Sequence, residues 1–231
     1  MTREHLAECA RRGIVSLEGL TAHGRGEAFD YLLGERTTDP ALKAAKTAAA
    51  FLITAKKPVF SVNGNTAALA ASHIADLQYV SGIEVEVNIF HRTEARMEKI
   101  TRFLESAGVQ VMKGTAERLV PLSHDRALCL RNGIFAADVV IVPLEDGDRC
   151  EALKKMGKIV ITVDLNPLSR TSRTADLTIV DEVTRAIPHV SQFYAHMTFT
   201  EAEDRISCHE NRIYLKAALD EIAGRLKHAL D

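Results

Sequence analysis

The sequence predicts an α/β fold: a doubly wound parallel sheet with helices on both faces and flanking helices at the N- and C-terminal ends. Three observations predict it. Short segments enriched in Val and Ile recur at Val59–Val62, Glu84–Phe90, Val109–Met112, Val139–Val142, Ile159–Val163 and Leu177–Val180, and β-branched side chains suit a pleated, crowded surface. Stretches of helical character separate these segments, which makes βαβ units with right-handed crossovers. Finally, the last three segments each stop abruptly in polar residues. Val142 is followed by Pro143, Glu145, Asp146, Gly147, Asp148 and Arg149, Val163 by Asp164, Asn166, Ser169, Arg170, Thr171 and Arg173, and Val180 by Asp181 and Glu182. In an open parallel sheet the carboxyl ends of the strands share one edge, and ligands bind in the crevice there. These groups are therefore expected to converge on one site.

Each element has a local reason. Residues 2–12 read as a helix, with Leu6 and Ala10 on one face and Arg3 at its start. Gly24-Arg25-Gly26 is expected to form a loop before a short helix, Glu27–Leu33, that Gly34 stops. The pair lacks the third glycine of a dinucleotide fingerprint, since Phe29 stands there, and no strand precedes it. It is either an ordinary loop or a place where backbone approaches an anion that Arg25 neutralises. Asp39 and Pro40 suit the N-cap and first position of an alanine-rich helix running to about Ala55.

Asn63-Gly64-Asn65 ends the first strand. It is read either as a plain turn with Asn65 capping the helix from about Thr66 to Tyr79, or as an anion-attracting helix start. Thr93 caps a helix ending near Gly108. Residues 114–131 are irregular, and Asn132-Gly133 suggests a tight hairpin between Leu128–Leu130 and Ile134–Phe135. Helices are expected at Asp148–Met156 and Val183–His196, a capping box at Thr200–Glu203, and a last helix at about Asn211–Leu230 with Leu215, Leu219, Ile222 and Leu226 on one stripe. The expected organisation over residues 1–231 is a single unit: a helical segment to about 56, a sheet core at about 57–200 and a C-terminal helix.

Bulk properties narrow the function. With 231 residues, 46% of them hydrophobic, the chain can build a full core. A net charge of −2 lacks the basic footprint of a nucleic-acid binder. Cys9, Cys129, Cys150 and Cys208 form no CxxC pair or zinc-finger spacing, so free thiols in a reduced compartment are expected. No segment approaches the ~20 apolar residues of a membrane span, and the polar N-terminus has no signal-peptide pattern. The expectation is a cytoplasmic protein that binds neither nucleic acid nor membrane.

No P-loop, HExxH, GxSxG or kinase signature occurs. Ser169-Arg170-Thr171-Ser172-Arg173 suits phosphate oxygens. Glu145, Asp146 and Asp148 suit either a phosphate-bound magnesium ion or a dipole-matched helix start. The residues alone thus indicate a phosphorylated ligand together with a nucleotide. A kinase or transferase acting on a small phosphorylated acid, and a nucleotide-sensing module without turnover, remain open at this point.

The runs AHGRGEAFDYLLGE, SVNGN, FHRTE, ADVVIVPLEDGDR, EALKKMGK and VDLNPLSRTSRTADLTIVD resemble the archaeal phosphopantothenate synthetases, the 4-phosphopantoate–β-alanine ligases, over nearly the whole chain. The resemblance implies a Rossmann-like homodimer that joins 4-phosphopantoate to β-alanine in coenzyme A biosynthesis, with ATP going to AMP and diphosphate and Mg2+ accompanying the nucleotide. It implies ATP contacts at Arg3, Arg25, Asp164, Leu165, Asn166, Arg170, Thr171, Glu182 and Val183. Glu182 stands where the family often has Asn, which leaves backbone contact at that position. Asn63, Arg92 and Arg149 are our candidates for the substrate phosphate. No residue is assigned to catalysis or to metal.

Overall fold

The computed structural model describes residues 2–228, so Leu230, the expected end of the last helix, lies outside the described residues. Three helices lead in: α1 (Thr2–Arg11), α2 (Leu17–Leu33) and α3 (Asp39–Thr54). Strands and helices then alternate through β1 (Pro58–Val62), α4 (Gly64–Ser81), β2 (Glu84–Val87) and α5 (Glu94–Ser106). A two-stranded antiparallel ribbon follows, β3 (Glu117–Arg118) and β4 (Leu128–Cys129). The alternation resumes with β5 (Val139–Ile141), α6 (Gly147–Lys155), β6 (Ile159–Val163), α7 (Arg170–Thr174) and β7 (Leu177–Ile179). It closes with α8 (Val183–His196), α9 (Phe199–Ser207) and α10 (Asn211–Lys227).

The main sheet has the order β2-β1-β5-β6-β7 with every pairing parallel. Its strands alternate between two covered faces, as a doubly wound sheet requires. Phe60, Val62, Val139, Ile141, Ile161 and Val163 enter the core shared with α3, α4, α5 and α8. Val59, Val140, Val142 and Val160 enter the opposite core under α6. Alanines 41, 44, 45, 48 and 49 are buried on α3, where their small size lets α8 approach. Among the described residues no helix is long and apolar enough to cross a membrane.

Several local expectations are corrected. The Gly24-Arg25-Gly26 loop is helix interior: α2 begins at Leu17, capped by Ser16, and packs against α1, α4 and α10. That packing offsets the ~1 kcal/mol that each helical glycine costs. Thr38, not Asp39, caps α3, and Asn63, not Asn65, caps α4. Val109–Met112 is not a strand; it makes one bridge, Val85 to Val111, at the sheet edge beside Gly108 and Gly114, both at positive φ. Asn132-Gly133 forms no hairpin, because the N–H groups of Leu130 and Ile134 donate to the buried Glu86 carboxylate at 2.9 and 2.7 Å. The capping box falls on Thr198 and Glu201 instead of 200 and 203. On α10, Leu215 and Ile222 are buried with Ala218, Leu219 is half-buried, and Leu226 is exposed.

Candidate active site

A cavity of about 790 Å³ opens at the carboxyl edge of the sheet, and residues following all five strands line it. Asn63-Gly64-Asn65 come after β1, Ile89–His91 after β2, Leu144–Gly147 after β5, Asp164–Asn166 after β6 and Asp181–Val183 after β7. β1 connects onward to β2 on one side and pairs with β5 on the other, so the cavity spans the point where strand order reverses. α2 closes it with a face of small residues, Gly19, Ala22 and Gly26. A Cβ on Gly26 would meet only Leu165 Cδ1, at 3.8 Å.

The rim is cross-linked. Asn63 Nδ2 donates to Pro143 O and Leu144 O at 2.9 and 3.2 Å, while its Oδ1 caps α4. Leu144 holds φ +53, a left-handed conformation uncommon for a non-glycine residue. Thr171 Oγ1 donates to Glu145 O at 2.7 Å, tying the start of α7 to the loop after β5. A Cβ on Gly147 would stand 2.8 Å from Arg170 Cγ, so only glycine lets the Arg170 side chain lie across this turn. Arg170 reaches Asp148 at 2.6 Å near the surface.

Behind the rim lies a buried ionic cluster. Glu145 pairs with both Arg126 and Arg149, and Arg149 Nη2 donates to Ser61 Oγ at 3.1 Å. Burial works to raise the Glu145 carboxyl, but the charges of Arg126 and Arg149 and the Asp146 N–H outweigh it, and the net shift is downward. Burial lowers Arg126 to about 10, which still leaves it charged at neutral pH. Burial raises the Asp164 carboxyl against hydrogen bonds from Ser169 Oγ (2.5 Å) and Asn166 N–H (2.9 Å) and against the charge of Arg25. Asp181 is engaged by Thr37 Oγ1 at 2.6 Å and Arg185 Nε at 2.8 Å.

Three buried polar atoms of cavity-lining residues have no hydrogen-bond partner among the described residues: His23 Nε2, Arg126 Nε and Asp146 Oδ2. Such orphans are uncommon and mark places where a ligand, ion or water is accommodated.

Of the residues selected from sequence, Asn63, Arg25, Asp164, Leu165, Asn166, Arg170, Thr171, Glu182 and Val183 all line this cavity. Three do not. Arg3 is exposed on α1 and donates to Glu27 (3.1 Å) and to Tyr31 OH (2.6 Å). Arg92 lines a separate cavity of about 420 Å³ with Glu86 and Lys113. Arg149 is fully buried and spends its guanidinium on Glu145 and Ser61, behind the lining. Its place at the wall is taken by Arg126, from the irregular segment that suggested nothing in sequence. Arg96, His23 and His91 also line the cavity and were not anticipated. The potential magnesium ligands divide as well. Glu145 is consumed by two arginines, Asp146 caps α6, and Asp148 is solvent-facing.

Residues 40–225 match the phosphopantothenate/pantothenate synthetase family profile. A protein of Methanospirillum hungatei named 4-phosphopantoate–β-alanine ligase is 53% identical over 100% of this chain and 95% of its own length. Proteins of the same name from Methanosarcina mazei and Thermococcus kodakarensis are 48% and 44% identical, covering 98% and 97% of this chain and 91% and 88% of their own lengths. By the reach of the family profile and by these relatives, the chain belongs to the phosphopantothenate/pantothenate synthetase family.

Proposed function

We propose that the protein is the ATP-dependent ligase of this family, forming the carbon–nitrogen bond between 4-phosphopantoate and β-alanine in coenzyme A biosynthesis. The products are 4'-phosphopantothenate, AMP and diphosphate. The observation that carries the reading is the convergence of Arg25, Arg96, Arg126 and Arg170 on one cavity at the strand ends, in a member of this family. A triphosphate and a phosphorylated carboxylate bound side by side need that density of guanidinium charge.

A carboxylate is a poor electrophile, so the substrate carboxylate first attacks the α-phosphorus of ATP and diphosphate leaves. The β-alanine amine then attacks the acyl carbon and AMP leaves. The protein's share is positioning and charge stabilisation. Arg25 and Arg170 offset triphosphate charge. Asp164, held by Ser169 and the Asn166 N–H, and Asn166 orient the nucleoside. Arg126, braced by Glu145, takes the anion-binding part for the substrate that sequence gave to Arg149.

A magnesium ion carried on the triphosphate requires only one or two protein carboxylates. Asp148, beside Arg170 and open to solvent, fits that need, and Glu145 does not. When bound, the ion would neutralise charge on the departing diphosphate.

Product analysis tests the reading. The protein is incubated with ATP, magnesium and phosphopantoate, with and without β-alanine. AMP and phosphopantothenate in the complete mixture are expected. ADP would replace the adenylate with an acyl phosphate or a kinase reaction, and bound ATP without turnover would reduce the protein to a binding module.

A further inference from the structure

Arg25 and Arg170 answer the triphosphate, and Arg126 answers the substrate anion. One arginine of the cavity is then left over, Arg96, and one anion of the reaction, the β-alanine carboxylate. Besides its amine, that carboxylate is the only group by which so small a reactant can be recognised. A carboxylate is matched best by a guanidinium whose orientation is fixed and whose charge is not already spent.

Arg96 meets both conditions. It stands in the first turn of α5, where its backbone N–H donates to the Thr93 cap at 3.2 Å. Its half-buried side chain is held by main chain alone: Nη1 donates to His91 O and Nη2 to Ile14 O, each at 3.2 Å. The guanidinium lies between two lining residues of the cavity, His91 and Gly64, and Arg96 is itself a third. A Cβ on Gly64 would collide with Ile14 O and stand 3.1 Å from Arg96 Nη2, so glycine at the start of α4 makes room for this pairing.

The charge of Arg96 is uncompensated. Arg126 and Arg170 have carboxylate partners in Glu145 and Asp148, and Arg25 is exposed to solvent. Arg96 forms no ion pair among the described residues. Burial lowers its pKa, and the charge of Glu18, out in solvent beside His91, opposes that only in part. The adjoining start of α4 is a positive helix end and adds no counter-charge.

The position fits as well. The residues proposed to orient the nucleoside follow β6, whereas α5 follows β2, at the far edge of the order β2-β1-β5-β6-β7. Three strand intervals of ~4.8 Å separate β2 from β6, roughly 14 Å in all. An anion at Arg96 therefore stands clear of the nucleotide, on the side from which an amine can reach an acyl group bound between them.

We propose that Arg96 binds the carboxylate of β-alanine and so presents the amine to the acyl carbon. This assignment rests on the ligase reading above. The short methylene chain between carboxylate and nitrogen then sets how far the amine reaches, which makes Arg96 a determinant of specificity for the amine substrate.

Arg96→Gln tests the assignment. Arg96→Lys, which keeps the charge but not the fork, serves if loss of the Ile14 and His91 contacts prevents folding. Three reactions are compared: phosphopantoate-dependent ATP–diphosphate exchange without amine, phosphopantothenate formation at varied β-alanine, and amide formation with β-alaninamide, which has the same length but no carboxylate. In the unaltered protein the KM for β-alaninamide is expected ~10²-fold above that for β-alanine, the worth of a charge-assisted pair. Arg96→Gln is expected to raise the β-alanine KM by a similar factor with kcat little changed, and to leave the KM for β-alaninamide, and for phosphopantoate in exchange, where they were. Arg96→Lys should fall between.

A raised KM for phosphopantoate in exchange would overturn the proposal and give Arg96 to the substrate phosphate. Equal use of β-alanine and β-alaninamide by the unaltered protein would overturn it as well. So would an unchanged β-alanine KM in the variants, which would leave Arg96 a brace for Ile14 and His91. No phosphopantothenate from the unaltered protein would overturn the ligase reading, and this assignment with it.

Discussion

Glu145→Gln should destabilise the protein strongly. The Glu145 side chain is 1% exposed, and the guanidiniums it serves are 6% (Arg126) and 0% (Arg149) exposed. Glutamine keeps the volume but removes the charge that both cations face, and it turns an amide donor toward them. Removing one partner from a buried ion pair costs ~3–5 kcal/mol, because the remaining charge stays desolvated. With a urea slope of ~3 kcal/mol/M, the unfolding midpoint should fall by roughly 1–1.7 M. Circular dichroism in urea at pH 7 measures it.

The pH dependence has a definite sign. The folded-state carboxyl lies below its ordinary value of 4.5, so its contribution is complete above that pH and is lost as pH falls through the lower folded value. The gap between Glu145→Gln and the unaltered protein should therefore narrow on acidification below 4.5. Replacing the whole cluster, Arg126→Met with Glu145→Leu and Arg149→Met, should restore most of the stability while abolishing activity. A midpoint shift under ~0.3 M at pH 7, or a gap that does not narrow in acid, would refute the reasoning.

Arg170→Ala should lower ATP–diphosphate exchange ~10²-fold while leaving the thermal midpoint nearly unchanged, since its ion pair with Asp148 is exposed. Gly24→Ala, where an added Cβ has nothing within 4 Å, should stabilise α2 by up to ~1 kcal/mol, a rise of ~2–4 °C in Tm. Gly26→Ala should stabilise similarly but raise the KM for ATP, because its Cβ enters the cavity; an unchanged KM would remove α2 from the ligand's wall. In thiol labelling of the native protein, exposed Cys208 should react rapidly. Cys129 and Cys150, pushed by burial up to about 11 and about 12, should react only on unfolding, and buried Cys9, whose thiol burial also raises, should follow them.

What was legible in the sequence is what local chemistry specifies. Val and Ile runs placed the five sheet strands, Thr93 announced its helix, and the polar residues after each strand converged because a parallel sheet puts them on one edge. What escaped depends on distant partners. Gly24 and Gly26 look like breakers until the rest of α2 packs against α1, α4 and α10. Asn132-Gly133 looks like a hairpin until Glu86, far away in sequence, claims the N–H groups on either side. Arg149 and Arg126 are indistinguishable as letters, yet one lies behind the wall and the other forms it. The orphaned oxygen of Asp146 has no sequence signature, because lacking a partner is a property of the whole surrounding shell.

The strand register that joins Pro58 to Val139 has a kinetic consequence. β1 and β5 meet only after a long loop has closed, and pairings of that kind form slowly, since closure entropy precedes any reward. The Asn63 amide clasps Pro143 and Leu144 across the same seam, so a nascent chain that stops short of β5 holds one half of the clasp and no cavity. If the proposed function holds, nucleotide therefore cannot guide early assembly. Bound to the finished fold, it would add ~2.7 kcal/mol at a hundredfold excess over Kd. Added ATP should accordingly slow unfolding and leave the rate of folding alone.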